Sequence, residues 1–263
     1  MEKLEKLTFD VCTLARSIGD FLRSERKGFS QSRVKIKGLN NFVSDVDKNA
    51  EQQIVASLRK MLPEAGFIAE EGTATCSNER YRWVVDPLDG TTNFIHGLPP
   101  YAVSIALMDG EEVILGVVHE AVANECFYAW KGSKSFLNGH EIHVSEIATV
   151  ESALVATGFP YYNFEKIQRY MNSLAFFMQR SHGMRRLGSA ATDLAYVACG
   201  RFEAFYEYSL QPWDVAAGSL IVKQAGGKIS DFSGGNAYIF GQELVSTNAK
   251  IYEEFLEIVR KHF

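Results

Sequence analysis

Cysteine is scarce and scattered: Cys12, Cys76, Cys126 and Cys199 stand far apart, with no C-x-x-C among them. That spacing supports neither a disulfide framework nor a thiolate zinc site, and the four read as reduced thiols of a cytosolic protein. No apolar run is long enough to cross a bilayer. The charged start Met1-Glu2-Lys3-Leu4-Glu5-Lys6 precedes no continuous apolar stretch, so no signal peptide or membrane span is expected and the expected location is cytoplasmic. Positive charge is not in excess. The 27 Lys and Arg against 32 Asp and Glu leave a net charge of −5, which argues against nucleic acid and anionic membranes as partners. G-x-x-x-x-G-K-[ST] and G-x-G-x-x-G are both absent, so ATP and dinucleotide binding lack a motif. Three weaker patterns fail on context. Cys76 and Arg82 have the C-x5-R spacing of a cysteine phosphatase, but Ser77 to Tyr81 contains no glycine to expose backbone N–H groups, and Arg82 falls in a strand-like run. Asp45-Val46-Asp47 lacks the buried apolar strand that should precede an aspartyl nucleophile. His140 and His143 form an isolated H-x2-H, more often a polar strand or loop than a metal site.

What is present is the composition of an ordinary soluble globular protein, 46% hydrophobic and 22% charged over 263 residues. The length fits one domain over 1–263, with an N-terminal lobe over about 1–145 and a C-terminal lobe over about 146–263. Leu4, Leu7, Val11, Leu14, Ile18 and Leu22 predict an amphipathic helix ending near Gly28. Gly28 to Asn41 reads as a loop or hairpin. Ser44-Asp45-Val46-Asp47 caps a second helix with the stripe Ala50, Ile54, Leu58 and Met61, stopped by Pro63. Phe67-Ile68-Ala69 is a short strand ending on Glu70. Ala102–Met108, Val113–His119 and Glu125–Trp130 predict an antiparallel meander, with a further turn at Asn138-Gly139. The second half mixes strands at Ala153–Thr157, Met184–Leu187, Phe202–Tyr206 and Glu243–Ser246 with helices from about Phe164 to Arg180, at Ala190–Ala198, from Pro212 to about Ala225, and at Ile251–Lys261. Helices and strands in both halves predict an α/β (α+β) fold of alternating helical and sheet layers.

The chemistry concentrates in Tyr81-Arg82-Trp83-Val84-Val85-Asp86-Pro87-Leu88-Asp89-Gly90-Thr91-Thr92-Asn93. Trp83, Val84 and Val85 are β-prone, and Pro87 is expected to end the ladder just after Asp86. Asp86 and Asp89 lie three residues apart across that turn. Two anions so close repel unless a cation sits between them, and hard carboxylate oxygens suit Mg²⁺, Mn²⁺ or Ca²⁺. A helical turn starting at Gly90-Thr91 would add free N–H groups as an anion cradle. Metal carboxylates beside a phosphate cradle point to metal-assisted phosphoryl chemistry.

The run Trp83-Val84-Val85-Asp86-Pro87-Leu88-Asp89-Gly90-Thr91-Thr92-Asn93-Phe94 resembles the signature of the inositol monophosphatase family of Mg²⁺-dependent, lithium-sensitive sugar-phosphate phosphatases. Trp213-Asp214-Val215-Ala216-Ala217-Gly218 and the pair Glu70-Glu71 match two further signatures in order and at about the family's spacing, and the likeness runs from about Leu4 to the end. The resemblance implies a five-layer αβαβα sandwich, a homodimer and hydrolysis of a small-molecule phosphate ester, inositol monophosphate first. It also implies two bound Mg²⁺, one held by Glu70, Asp86 and the Leu88 carbonyl, the other by Asp86, Asp89 and Asp214. Asp47, Glu70 and Thr91 become the catalytic residues, with Thr91 and Asp47 orienting or deprotonating the attacking water. The phosphate would lie on the metals and on the Gly90 and Thr91 N–H groups. Leu88, Asp89, Gly90, Thr91 and Asp214 line the substrate site, and Gly188-Ser189-Ala190 with Glu207 line the pocket for its alcohol part. Lys37 matches a loop lysine of the family. Asn41 stands where the family often has Asp, which weakens the case for a third metal near Glu70. Arg185-Arg186 suit a second anionic group or a subunit interface. Related phosphatases of fructose-1,6-bisphosphate, 3′-phosphoadenosine phosphate, NADP or histidinol phosphate share these marks. A catalytically idle binding module on RNA polymerase or RNA would keep the fold without needing the acids.

Overall fold

The periodic apolar positions at the start of the chain form α1 (Glu2–Lys27), which buries Val11, Cys12, Ala15, Ile18 and Leu22 on one face. Glu2 and Glu5 sit in its first turn and Arg26 and Lys27 in its last, as the helix dipole favours. The structure is a computed structural model that describes residues 2–30, 34–38, 41–73, 79–160 and 163–263, and only the backbone of 34–38 and 41–44. The side chains of Lys37 and Asn41, and Cys76 altogether, lie outside that description. The stretch read as a loop or hairpin contains β1 (Val34–Gly38) paired antiparallel with β2 (Asn41–Ser44). α2 (Asp45–Met61) follows at once and buries Val46, Ala50, Ile54 and Leu58.

β3 (Gly66–Ala69) runs parallel to β4 (Tyr81–Asp89). After the single turn α3 (Thr91–His96), the expected meander is β5 (Ala102–Asp109), β6 (Glu112–Glu120) and β7 (Glu125–Trp130). Around Asn138-Gly139 it continues into β8 (Ser135–Leu137) and β9 (His140–Ile142), completing a seven-stranded sheet in chain order. Pro87 does not end β4 as expected. Asp86 faces Ser104 and Asp89 faces Ala102, so three steps on β4 meet two on β5. The bulge takes up Pro87, which has no N–H to offer the ladder.

The second half supplies β10 (Leu154–Thr157), α4 (Ile167–Arg180), β11 (Gly183–Arg185), α5 (Ala190–Ala198), β12 (Ala204–Tyr208), α6 (Pro212–Gln224), β13 (Lys228–Ser230), β14 (Glu243–Thr247) and α7 (Tyr252–His262). Its strands form a mixed sheet in the order β11-β10-β12-β14-β13. α1 and α2 pack on one face of the first sheet. α5 and α6 fill the space between the two sheets, and α4 and α7 cover the outer face of the second. The result is the αβαβα layering. A helix between two sheets must be apolar all round, and α6 is buried from Val215 through Val222 without interruption.

The meander Ala102–Trp130 is covered on both faces, by α1 on one side and α6 on the other, and it lies inside its sheet. Most exposed large apolar side chains of the C-terminal half lie on α4 or just before it, at Phe159, Phe164, Ile167, Met171 and Met178; Ile147 and Phe240 stand elsewhere in the chain.

The first sheet and the central helix approach closely at Gly116 on β6. A Cβ there would lie 2.5 Å from the Ala217 carbonyl oxygen and 3.0 Å from its Cα. Gly116→Ala is expected to destabilise the fold by about 2 kcal/mol in urea unfolding, since backbone cannot yield as a side chain does. An unchanged midpoint would show that these two layers slide freely.

Candidate functional site

Glu70 follows β3 directly, and its N–H donates to the Val85 carbonyl at 3.2 Å, which sets it beside Asp86 on the neighbouring strand. The bulge then swings Asp89 to the same side. Asp86 is locked by its own turn: the Leu88 N–H donates to Asp86 Oδ1 at 2.9 Å. Asp214 arrives from the second half, at the third position of α6. Its Oδ2 accepts the Gln211 N–H at 2.7 Å in a capping box. Asp86, Asp89 and Asp214 each bring a carboxylate oxygen within 4.8 Å of the others.

Asp86 and Asp89 are buried, Glu70 and Asp214 half-buried beside them, and crowding raises the proton affinity of all four. Burial holds Glu70 well above the usual carboxylate range, with the charges of Asp214 and Glu71 adding to it. Burial raises Asp86 likewise, reinforced by Glu70, Asp89 and Asp214. Asp214 is raised by burial and then by Asp89. Asp89 is pushed up to about 6 by burial, against hydrogen bonds from Ser189 and from the Ala191 and Ala190 N–H groups. Oxygen-only donors in a crowded cluster of acids fit a hard divalent cation, which relieves the repulsion that protons otherwise relieve.

Thr91 and Asp47 do meet. The Thr91 hydroxyl lies 3.1 Å from Asp47 Oδ1 and 3.0 Å from the Leu88 carbonyl oxygen. Asp47 stands in the first turn of α2 and is 1% exposed, so it is no ordinary solvated helix acid. Gly90 precedes α3 at φ +94°, and a Cβ there would come 3.0 Å from the Pro100 carbonyl oxygen. Only glycine fits this left-handed, crowded position. It leaves the first N–H groups of α3 without partners inside the helix.

Gly188-Ser189-Ala190 leads into α5 beside the acids. Ser189 caps α5, and its hydroxyl donates to Asp89 Oδ2 at 2.7 Å, beside the Ala191 N–H at 2.7 Å. It therefore fixes one oxygen of Asp89. Glu207 on β12 is buried and pushed up to about 8, by burial and the charge of Asp89 against the pull of Arg186. The Arg186 guanidinium lies over the Phe159 ring, 5.2 Å from its centroid. Arg185 is exposed at the end of β11 and donates to the Met184 carbonyl at 2.9 Å. His140 and His143 lie on the surface, His143 against Glu141.

Three further residues near the site were given no role from the sequence, Asn93 lying inside the signature run and Asp193 and Glu51 carrying no signal beyond their type. Asn93 donates to the Pro100 carbonyl at 2.7 Å and to the Leu187 carbonyl at 2.8 Å, tying the first half to the second. Asp193 on α5 is buried with Oδ1 unpartnered among the described residues. Glu51 on α2 is wholly buried.

Acids whose folded proton affinity is raised bind more protons in the native than in the unfolded chain. Their stabilisation is complete below the unfolded range and is lost as pH climbs through the folded values. With Asp89 raised to about 6 and Glu207 to about 8, chelator-treated protein should lose thermal stability between pH 5 and pH 8. Mg²⁺ should restore it, by a margin that widens with pH. A melting temperature that rises across this range in chelator, or an equal Mg²⁺ effect at both ends, would contradict the buried cluster.

Comparison with known proteins spans the same architecture. The model of the inositol monophosphatase family matches residues 3–263. The Nus factor SuhB of Pseudomonas aeruginosa is 40% identical over 253 residues, covering 94% of this chain and 93% of its own. The Nus factor SuhB of Escherichia coli K12 is 39% identical over 247 residues, covering 94% and 92%. Among solved structures, the extragenic suppressor protein suhB of Bartonella henselae aligns with a TM-score of 0.91 at 37% identity, covering 97% of this chain and 98% of its own. A Thermotoga maritima IMPase aligns at 0.88 and 35% identity, covering 100% and 98%. The chain belongs to the inositol monophosphatase family.

Proposed function

We propose that this protein is a Mg²⁺-dependent phosphomonoesterase whose substrate is an inositol monophosphate. The observation that carries the reading is the convergence of Asp86, Asp89 and Asp214, with Glu70 alongside, next to the Thr91–Asp47 pair. Glu70, Asp86, Asp89, Asp214 and the Leu88 carbonyl would hold the cations. Divalent cations in such a site supply Lewis-acid stabilisation of a phosphoryl group and make a water acidic enough to attack it. Thr91 and Asp47 then handle the proton: the Thr91 hydroxyl accepts from the attacking water while donating to Asp47. The Gly90 and Thr91 N–H groups point phosphate oxygens toward the acids, as free amides at a helix start do. Glu207 accepts hydrogen bonds from hydroxyls of the alcohol part, and a cation in the cluster lowers its proton affinity so that it does so as a carboxylate.

A second reading is favoured by the relatives that bear the name Nus factor SuhB. In it, the same fold serves as a binding module, and the acidic cluster is a structural cation site. A screen over inositol, sugar, nucleotide and amino-alcohol phosphates with Mg²⁺ decides between the two. Turnover of inositol 1-phosphate that stops on chelation is the expected result, and no turnover of any ester would favour the binding module. Glu207→Gln should lower kcat/KM for inositol 1-phosphate about tenfold more than for glycerol 2-phosphate, the worth of a hydrogen bond to a charged group. Equal losses on both esters would remove Glu207 from substrate recognition.

A further inference from the structure

Glu51 lies one helical turn beyond Asp47, on the same face of α2. Its carboxylate takes three hydrogen bonds from the segment just after Glu70. The Glu71 N–H donates to Oε2 at 2.7 Å, the Thr73 N–H to Oε1 at 2.8 Å, and the Thr73 hydroxyl to Oε1 at 2.6 Å. On the other side, the Glu70 N–H is tied to Val85 at 3.2 Å. β3 ends at Ala69, so beyond Glu70 no strand pairing guides the chain. Glu70 is thus gripped from behind by the sheet and from ahead by α2. Burying one more carboxylate a turn away from Asp47, beside an already anionic cluster, is costly. Three donors converging on it account for that choice, because a neutral amide would turn its NH₂ against one of them.

We propose that Glu51 is a positioning residue for the cation centre: it holds the Glu70 segment where Glu70 and Asp86 share one cation. The proposal rests on the metal reading given above. One helix then sets both sides of the site, Asp47 reaching Thr91 and Glu51 reaching the Glu70 segment. A role in folding alone would need no link between these bonds and cation affinity.

The test uses the full chain, freed of metal, with Mn²⁺ as the probe and free Mn²⁺ read by electron paramagnetic resonance at a temperature where each variant is folded by circular dichroism. Glu51→Gln should weaken Mn²⁺ binding roughly tenfold, the low end of the 10–100-fold cost of disturbing groups that orient ligands. Thr73→Val, on the exposed side of the same contact, removes one of the three donors and should weaken it by about threefold. The Mg²⁺ concentration for half-maximal turnover should rise in the same order, with KM for the ester and kcat at saturating Mg²⁺ held within about threefold. Wild-type affinity in both folded variants overturns the proposal alone. If Glu51→Gln fails to fold, Thr73→Val decides: wild-type affinity there overturns the proposal, and weakened affinity supports it. A wild-type protein that binds no Mn²⁺ overturns the metal reading, and the proposal with it.

Discussion

The repulsion among Glu70, Asp86, Asp89 and Asp214 is the constraint around which this molecule is arranged. Carboxylates this close and this dry do not gather by their own attraction. They are forced together by packing that has nothing to do with charge: β3 on β4, the bulge at Pro87, and α6 wedged between two sheets. Three of the acids are then held by donors from their own neighbourhood, the Leu88 N–H for Asp86, α5 for Asp89 and the Gln211 N–H for Asp214, while Glu70 is placed by its own N–H donating to the Val85 carbonyl. Apolar burial supplies the work, and the donors fix the geometry. What results is a cavity with the charge of an ion already written into it.

Much of this was legible in the chain and some was not, for reasons that differ by residue. Asp86 and Asp89 are three apart across a turn, so their convergence is a local property that spacing reveals. Asp214 is 125 or more residues from either, and only the family resemblance joined them. The helix α6 showed itself through Pro212 at one end and Gly226-Gly227 at the other. Pro87 misled because its effect depends on β5, whose register absorbs it, and a single strand carries no record of its partner's register. β8, β9 and β13 are three residues each, too short for any period to emerge. The burial of the meander on both faces fits the near-continuous apolar runs Ala102–Met108, broken only by Ser104, and Val113–Val118, which half-exposed strands do not have.

Glu51 and Asp193 mark a harder limit. In sequence each is an acid inside a helix, and most such acids face water. Their burial follows from which layers close over α2 and α5, a long-range fact. The same holds for Asn93, whose two carbonyl partners belong to segments 7 and 94 residues away. Residues of this kind are polar by type and interior by position, and only the assembled layers tell them apart from surface.

The place of Asp214 on α6 has a kinetic side. From Val215 to Val222 that helix is closed off by both sheets, so displacing the helix turn that carries Asp214 means parting the two halves of the protein. Glu70 stands instead beyond a four-residue strand at the rim of its sheet, where opening costs far less. The centre is therefore lopsided in time. Its inner wall is as long-lived as the fold itself, while its outer wall breathes on the timescale of a sheet edge. Local opening of the centre is therefore set at the outer wall, independently of global stability.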